Sequence, residues 1–199
     1  MKVSDHERAL VRAFLAPHNL QDFDQRTAIV ELAQIVAAIP WGEARSIADV
    51  LEKKMGTCRG KHRLFVAALA ELGIESRFVV STFHWHEQDM HYPPALKEFL
   101  EDHHWPHNHT FAQVKNSSGA WVDCDLTWDP ALEPWGFWTF PEDWDGEHSF
   151  HAVKVVDRWD GVEIEAKLDE LKNLLSPEQQ QASEHFLRLF IEWVASLRR

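Results

Sequence analysis

Met55-Gly56-Thr57-Cys58-Arg59-Gly60-Lys61 marks the point where a loop gives way to an amphipathic helix. Beyond it, Leu64, Phe65, Ala68, Leu69 and Leu72 recur with a period of about 3.6, the spacing of one buried helix face. Gly73 stands where a C′ residue ends such a helix. The stretch therefore predicts a core helix over residues 58–72 with Cys58 at its N-terminal tip. A thiol at that place faces unpaired N–H groups and the positive end of the helix dipole, and both favour the thiolate.

Upstream, Ser4-Asp5-His6-Glu7 is a capping-box pattern ahead of an apolar run through Leu15, with Pro17 beyond it. A second helix is expected from about Gln25 to Ile39, ended by Pro40 and Gly42, and a short third from Ser46 to about Gly56. Downstream the pattern changes. Residues 76–83 are β-branched and aromatic enough for a buried strand. A short helix is expected around 95–101, and strands over 109–114 and 120–126 flank the turn signal Lys115-Asn116-Ser117-Ser118-Gly119. Another strand is expected over 149–156, with Asp160-Gly161 as a turn. Ser176-Pro177-Glu178-Gln179 opens a last helix whose Phe186, Phe190, Trp193 and Leu197 share a face. Helices followed by mostly antiparallel strands predict an α+β fold. With no repeat or Gly/Ser linker, residues 1–199 read as one domain, its core over about 40–157 and helices flanking it at both ends.

The hairpin carries a geometric expectation. With residues 115–119 as the loop, Val114 faces Ala120 and His109 stands directly opposite Asp125, on the same face of the sheet. A carboxylate there can accept from one imidazole nitrogen and leave the other to serve a thiol. Cys58, His109 and Asp125 are thus the candidate nucleophile, base and orienter. A register slip of one residue would send His109 and Asp125 to opposite faces. Asp123, diagonal to His109, is the reserve acid, and Cys124, facing the other way, reads as a small core residue. Asp125-Leu126-Thr127 can also be read as a simple turn cap.

Gly56-Thr57-Cys58 before a helix, Gly73-Ile74-Glu75-Ser76-Arg77 at its end, His109-Thr110-Phe111 and Trp121-Val122-Asp123-Cys124-Asp125-Leu126-Thr127 together resemble the transglutaminase-like cysteine enzymes. The likeness spans roughly residues 40–130. It departs from the family pattern where Phe111 replaces a more usual Trp and Leu126 a common Pro. The resemblance implies a papain-like fold with Cys58, His109 and Asp125 as catalytic triad, and amide chemistry through a thioester. The family holds crosslinking enzymes, peptide deglycosylases, proteases and amidases, so the resemblance leaves the reaction open.

The remaining composition narrows the function. A formal charge of −12 and a pI near 5.5 argue against a nucleic-acid surface. No apolar run is long enough for a membrane span, and the N-terminal residues lack a secretory h-region. Two cysteines without a signal fit a reducing cytoplasm. The histidines crowded between His84 and His109 could bind adventitious metal, but they lack His-Glu-x-x-His or Cys-x-x-Cys spacing, so no metal and no cofactor is expected. Arg77 is read as a partner for an acidic group or for a substrate carboxylate. Trp41 is an upstream candidate for a second oxyanion donor beside the Cys58 N–H, with packing as its other reading. The aromatic stretch 128–150 reads as a pinned loop, some of whose rings could line a cleft, and residues 84–108 are a candidate lid. The expectation is a cytoplasmic cysteine hydrolase or acyltransferase acting on a peptide or protein amide, with no nucleic-acid or membrane partner. The alternative is a non-catalytic peptide- or protein-binding module on the same fold, and a weaker one is a metal-dependent hydrolase.

Overall fold

Side-chain caps fix where the helices start. Ser4 Oγ accepts the Glu7 N–H at 3.2 Å and the Glu7 carboxylate accepts the Ser4 N–H at 3.0 Å, which closes the capping box of α1 (Asp5–Leu15). Asp24 caps α2 (Gln25–Ala37), Ser46 caps α3 (Ile47–Lys53), and Thr57 caps α4 (Cys58–Glu71). Gly73, at φ +74°, ends α4 as expected. The computed structural model describes residues 3–198. Met1 and Lys2, which head the stretch read above for a secretory signal, and Arg199 lie outside the described residues.

The second half supplies β1 (Ser76–Phe83), α5 (Pro94–Asp102), β2 (His107–Lys115), β3 (Trp121–Cys124), β4 (Val155–Asp160), α6 (Ile164–Asn173) and α7 (Pro177–Ser196). The four strands form one antiparallel sheet in the order β3-β2-β1-β4. The result is a mixed helical and antiparallel-sheet architecture, as the order of elements predicted.

Three apolar clusters hold these layers. In the first, Ile29, Leu32 and Val36 of α2 and Leu64, Phe65 and Leu69 of α4 pack on Ala112, Val114, Val122 and Cys124, one face of the sheet. Each such fully buried side chain contributes roughly 1.5–3 kcal/mol. The second joins Trp41, Phe83, Trp85 and Trp128 to Phe186 and Phe190 of α7. The third places Ile164 and Leu171 of α6 under Phe78 and Val80 of β1. No helix among the described residues is long and apolar enough to cross a membrane.

Three expectations need correction. The hairpin pairs Val114 with Val122 and Gln113 with Asp123, a shift of two residues from the expected register. The turn is the reason: the Asn116 N–H donates to the Ala120 carbonyl and Asn116 Oδ1 accepts the Ala120 N–H, so the loop closes one residue later on each strand. Because the shift is even, every side chain keeps its face. The strand expected over 149–156 forms only from Val155. Before it, Phe150 makes a single bridge to Cys124, and its neighbours bond to Asp123 and Asp125 instead of to a ladder. Finally, α6 was not expected, although Ile164, Leu168 and Leu171 carry helical spacing.

Candidate active site

Thr57 holds the loop before α4 in place. Its N–H and hydroxyl both donate to the Ala44 carbonyl, and its Oγ1 accepts the Gly60 N–H at 3.2 Å. Cys58 is then the first residue of α4, partly exposed, with an N–H that the helix geometry leaves without an intrahelical acceptor.

The loop end of β2 brings His109 and Thr110 to this tip. His109 Nε2–H donates to Asp125 Oδ2 at 2.7 Å, and both groups are buried. Thr110 Oγ1 donates to Cys58 Sγ at 3.7 Å. The Cys58 thiol and the His109 ring line the same cleft, each among the groups that shift the other's pKa. The structure thus brings together all three residues singled out by spacing. The observed register, extended one step, sets Asp125 opposite Phe111. From there Asp125, just past the end of β3, reaches His109 on the diagonal, which the pleat permits because both residues share a face.

Asp125 is held at every oxygen. Oδ1 accepts the Thr127 hydroxyl at 2.6 Å, and Oδ2 accepts the Ala152 N–H at 3.0 Å as well as the His109 ring. Burial alone would raise its pKa. The His109 charge and hydrogen bond, with the Thr127 bond, reverse this and hold the carboxyl well below its usual range. For His109, burial lowers the pKa, but the Asp125 charge and hydrogen bond and the Cys58 thiol outweigh it and raise it to about 10. Burial likewise pushes the Cys58 thiol up. The His109 hydrogen bond and charge, and hydrogen bonds from the Thr110 backbone and side chain, bring it down to about 7 from 9.0. A thiolate and an imidazolium side by side are the charge state these surroundings favour.

Beneath the three lie residues that spacing did not single out. Lys61 is fully buried, and its Nζ donates to the carbonyls of Ala37 at 3.0 Å and Thr127 at 3.2 Å. Burial, opposed by Asp129 and Asp125, lowers its pKa to about 7. His62 is equally buried, with ring nitrogens bonded to the Cys58 carbonyl and the Leu126 N–H. It sits four residues after Cys58 on one helix face, a spacing that the sequence displays and that could have flagged it.

The other candidates have different roles. Asp123 is tied to Gln113, His151 and Arg158, all at 3.1 Å or less, and does not reach His109. Cys124 is core, and burial drives its pKa up. Arg77 pairs with Gln113 and Asp160 and lies over the Trp121 ring. The Trp41 N–H is committed to Asp129 Oδ2 at 2.7 Å, so as a backbone oxyanion donor Trp41 is excluded.

Cys58 opens onto a cleft of about 490 Å³. Its lining includes Trp41, Trp85 and Trp128, together with Lys172 from α6 and Gln180 and Leu187 from α7. Of the aromatic stretch 128–150, only Trp128 lines this cleft, while Phe137, Phe140 and Trp144 are packed inside. The segment 84–108 is anchored by the buried side chains of Trp85, Met90, Tyr92, Leu96 and Leu100. Within it His86 stacks on His104 at 4.3 Å and His103 on Phe99 at 3.8 Å. Among the described residues, no group of three or more His, Cys, Asp or Glu is arranged to hold a metal ion.

Residues 28–126 match the family model of the transglutaminase-like superfamily. Through that core the chain belongs to this superfamily, a group of cysteine enzymes. Among solved structures, a TGase is similar at 15% identity and a TM-score of 0.45, over 64% of this chain and 34% of its own. A candidate cysteine protease from Cytophaga hutchinsonii is similar at 13% identity and a TM-score of 0.41, over 78% of this chain and 50% of its own. This chain therefore spans half or less of the length of either structure. No curated protein matches it.

Proposed function

We propose that this protein is a cysteine amide hydrolase or acyltransferase that acts on a peptide or protein, with Cys58 as nucleophile, His109 as acid and base, and Asp125 as orienter. The observation that carries the reading is the His109 ring, bonded to Asp125 and set in the same cleft as the Cys58 thiol, whose pKa it lowers.

The reaction follows from that arrangement. The Cys58 thiolate attacks the amide carbonyl carbon, and the carbonyl electron pair moves onto oxygen. The Cys58 N–H, free at the start of α4, donates to that oxyanion. The tetrahedral adduct collapses as His109 gives a proton to the leaving amine, and the C–N bond breaks. A thioester remains. His109, now neutral, takes a proton from water as the water attacks the thioester, and the acid leaves with Cys58 restored as thiolate. A primary amine in place of water would give transfer in place of hydrolysis. Asp125 stays ionised throughout and keeps the imidazole in register. Both cysteines are free, which suits a reducing compartment such as the cytoplasm.

A peptide-amide library incubated with the protein and quenched in acid tests this. A mass increment on Cys58 equal to the acyl part of a substrate is expected, with amine release that Cys58→Ala abolishes. Peptides that bind the wild type and Cys58→Ala alike, with neither adduct nor amine release, would favour the binding-module reading. Primary amine added to an active mixture separates the branches, since a crosslinked product appears only if an amine can replace water.

A further inference from the structure

His62 lies directly beneath the Cys58–His109–Asp125 group and takes no part in the chemistry proposed for it. Its ring is fully buried. Nδ1 lies 2.6 Å from the Cys58 carbonyl oxygen, and Nε2 lies 2.8 Å from the Leu126 amide nitrogen. These two partners fix the proton. A carbonyl can only accept, so Nδ1 carries hydrogen and donates. A backbone N–H can only donate, so Nε2 is bare and accepts. The ring is therefore neutral and held in one tautomer.

The partners also bracket the site. Cys58 is the first residue of α4, and Leu126 follows Asp125 at the exit from β3. One imidazole thus joins the helix that carries the thiol to the segment that carries the acid. Asp125 Oδ1 lies 3.8 Å from the bare Nε2. Were Nε2 protonated, the Leu126 N–H would lose its acceptor, and a second imidazolium would compete with His109 for the same carboxylate. The titratable neighbours of the ring are Asp125, His109, Lys61 and Cys58.

We propose that His62 is a positioning residue. As a neutral clamp between the Cys58 carbonyl and the Leu126 N–H, it sets the distance between thiol, imidazole and acid and leaves Asp125 to His109 alone. The inference rests on the reading of Cys58 as a thiolate nucleophile, and its test separates the two.

Two substitutions discriminate. A Gln amide offers a donor and an acceptor and can span the same partners, whereas Phe fills the volume with neither. Iodoacetamide labelling of Cys58 is followed across pH for wild type, His62→Gln and His62→Phe, with folding checked by circular dichroism. The wild-type midpoint is expected near 7. His62→Gln keeps that midpoint. His62→Phe raises it by a unit or more, which lowers labelling at pH 7 about fivefold or more. A folded His62→Phe protein with the wild-type midpoint would overturn the proposal and leave His62 as packing only. A wild-type midpoint near an ordinary thiol would sink the nucleophile reading instead. Imidazole nitrogen shifts of the wild-type protein supply a readout that needs no variant to fold. A neutral His62 ring with hydrogen on Nδ1 between pH 5 and about 8 supports the clamp, and hydrogen on Nε2 overturns it.

Discussion

At the scale of residues, burial works against each charge in the site and neighbouring groups reverse it. Burial on its own disfavours the charged form of Cys58, His109 and Asp125 alike. Their charges persist only as a set. Asp125→Asn is accordingly expected to raise the alkylation midpoint of Cys58 by about one unit or more, since His109 then loses the charge that keeps it protonated. Thr110→Val removes one of several thiolate donors and is expected to raise it by less than about one unit. Midpoints measured on both variants check the ranking, and a larger effect from Thr110→Val would contradict it. His109 and Asp125 were legible because strand parity survives an even register shift. Thr110 was not, because its role depends on how α4 approaches β2 beyond the end of β3, and Lys61 was not, because its partners, the Ala37 and Thr127 carbonyls, come from two other segments. No local pattern encodes that approach.

At the scale of elements, the start of α4 depends on a close passage. A Cβ on Gly60 would stand 2.3 Å from the Ala44 carbonyl oxygen and 2.9 Å from Val50 Cγ2. Gly60→Ala therefore must push α4 away from the loop before α3, at a cost of about 1–3 kcal/mol. It also displaces Cys58, two residues earlier, so urea unfolding and Cys58 labelling should both change. A variant as stable and as reactive as the wild type would contradict that packing. Most elements were readable from caps and periodicity: α1, α4, β1 and α7 begin after Ser4, at Cys58, at Ser76 and after Ser176, as expected. The shift of β4 was not readable. Residues 149–154 have strand-like composition, yet Asp123 and Asp125 take their polar groups, and the ladder opens only at Val155.

At the scale of the molecule, α7 closes the aromatic cluster that backs the cleft. Phe190 is fully buried and packs against Trp41, Trp85 and Trp128. Phe190→Ala is expected to destabilise the fold by about 3–5 kcal/mol. Because all three of those rings line the cleft, it should also weaken substrate binding more than Cys58 labelling. The docking of α6 and α7 beside Cys58 was beyond sequence reading, because an apolar helix face does not name the surface it covers.

Stability should also depend on acid. Burial lowers the folded-state pKa of His62 and His107 to about 4, while the unfolded chain binds those protons from about 6.5 downwards. Between pH 6.5 and 4 the unfolded state thus holds more protons, and stability falls as pH falls. The His109 contribution has the opposite sense. It is fully present below 6.5 and is lost as pH rises through about 10, so it does not mask the fall. Below 3.8, protonation of Asp125 and Asp123 removes more. Urea midpoints at pH 7, 5.5 and 4 should decline in that order, and a flat series would contradict the burial of these rings.

The most direct measurement is the rate of Cys58 alkylation in the wild-type protein from pH 5 to about 10. A thiolate held by His109 and Asp125 gives half-maximal reactivity near pH 7. A midpoint between 8 and about 9, where a free thiol titrates, would mean that the three side chains do not act together.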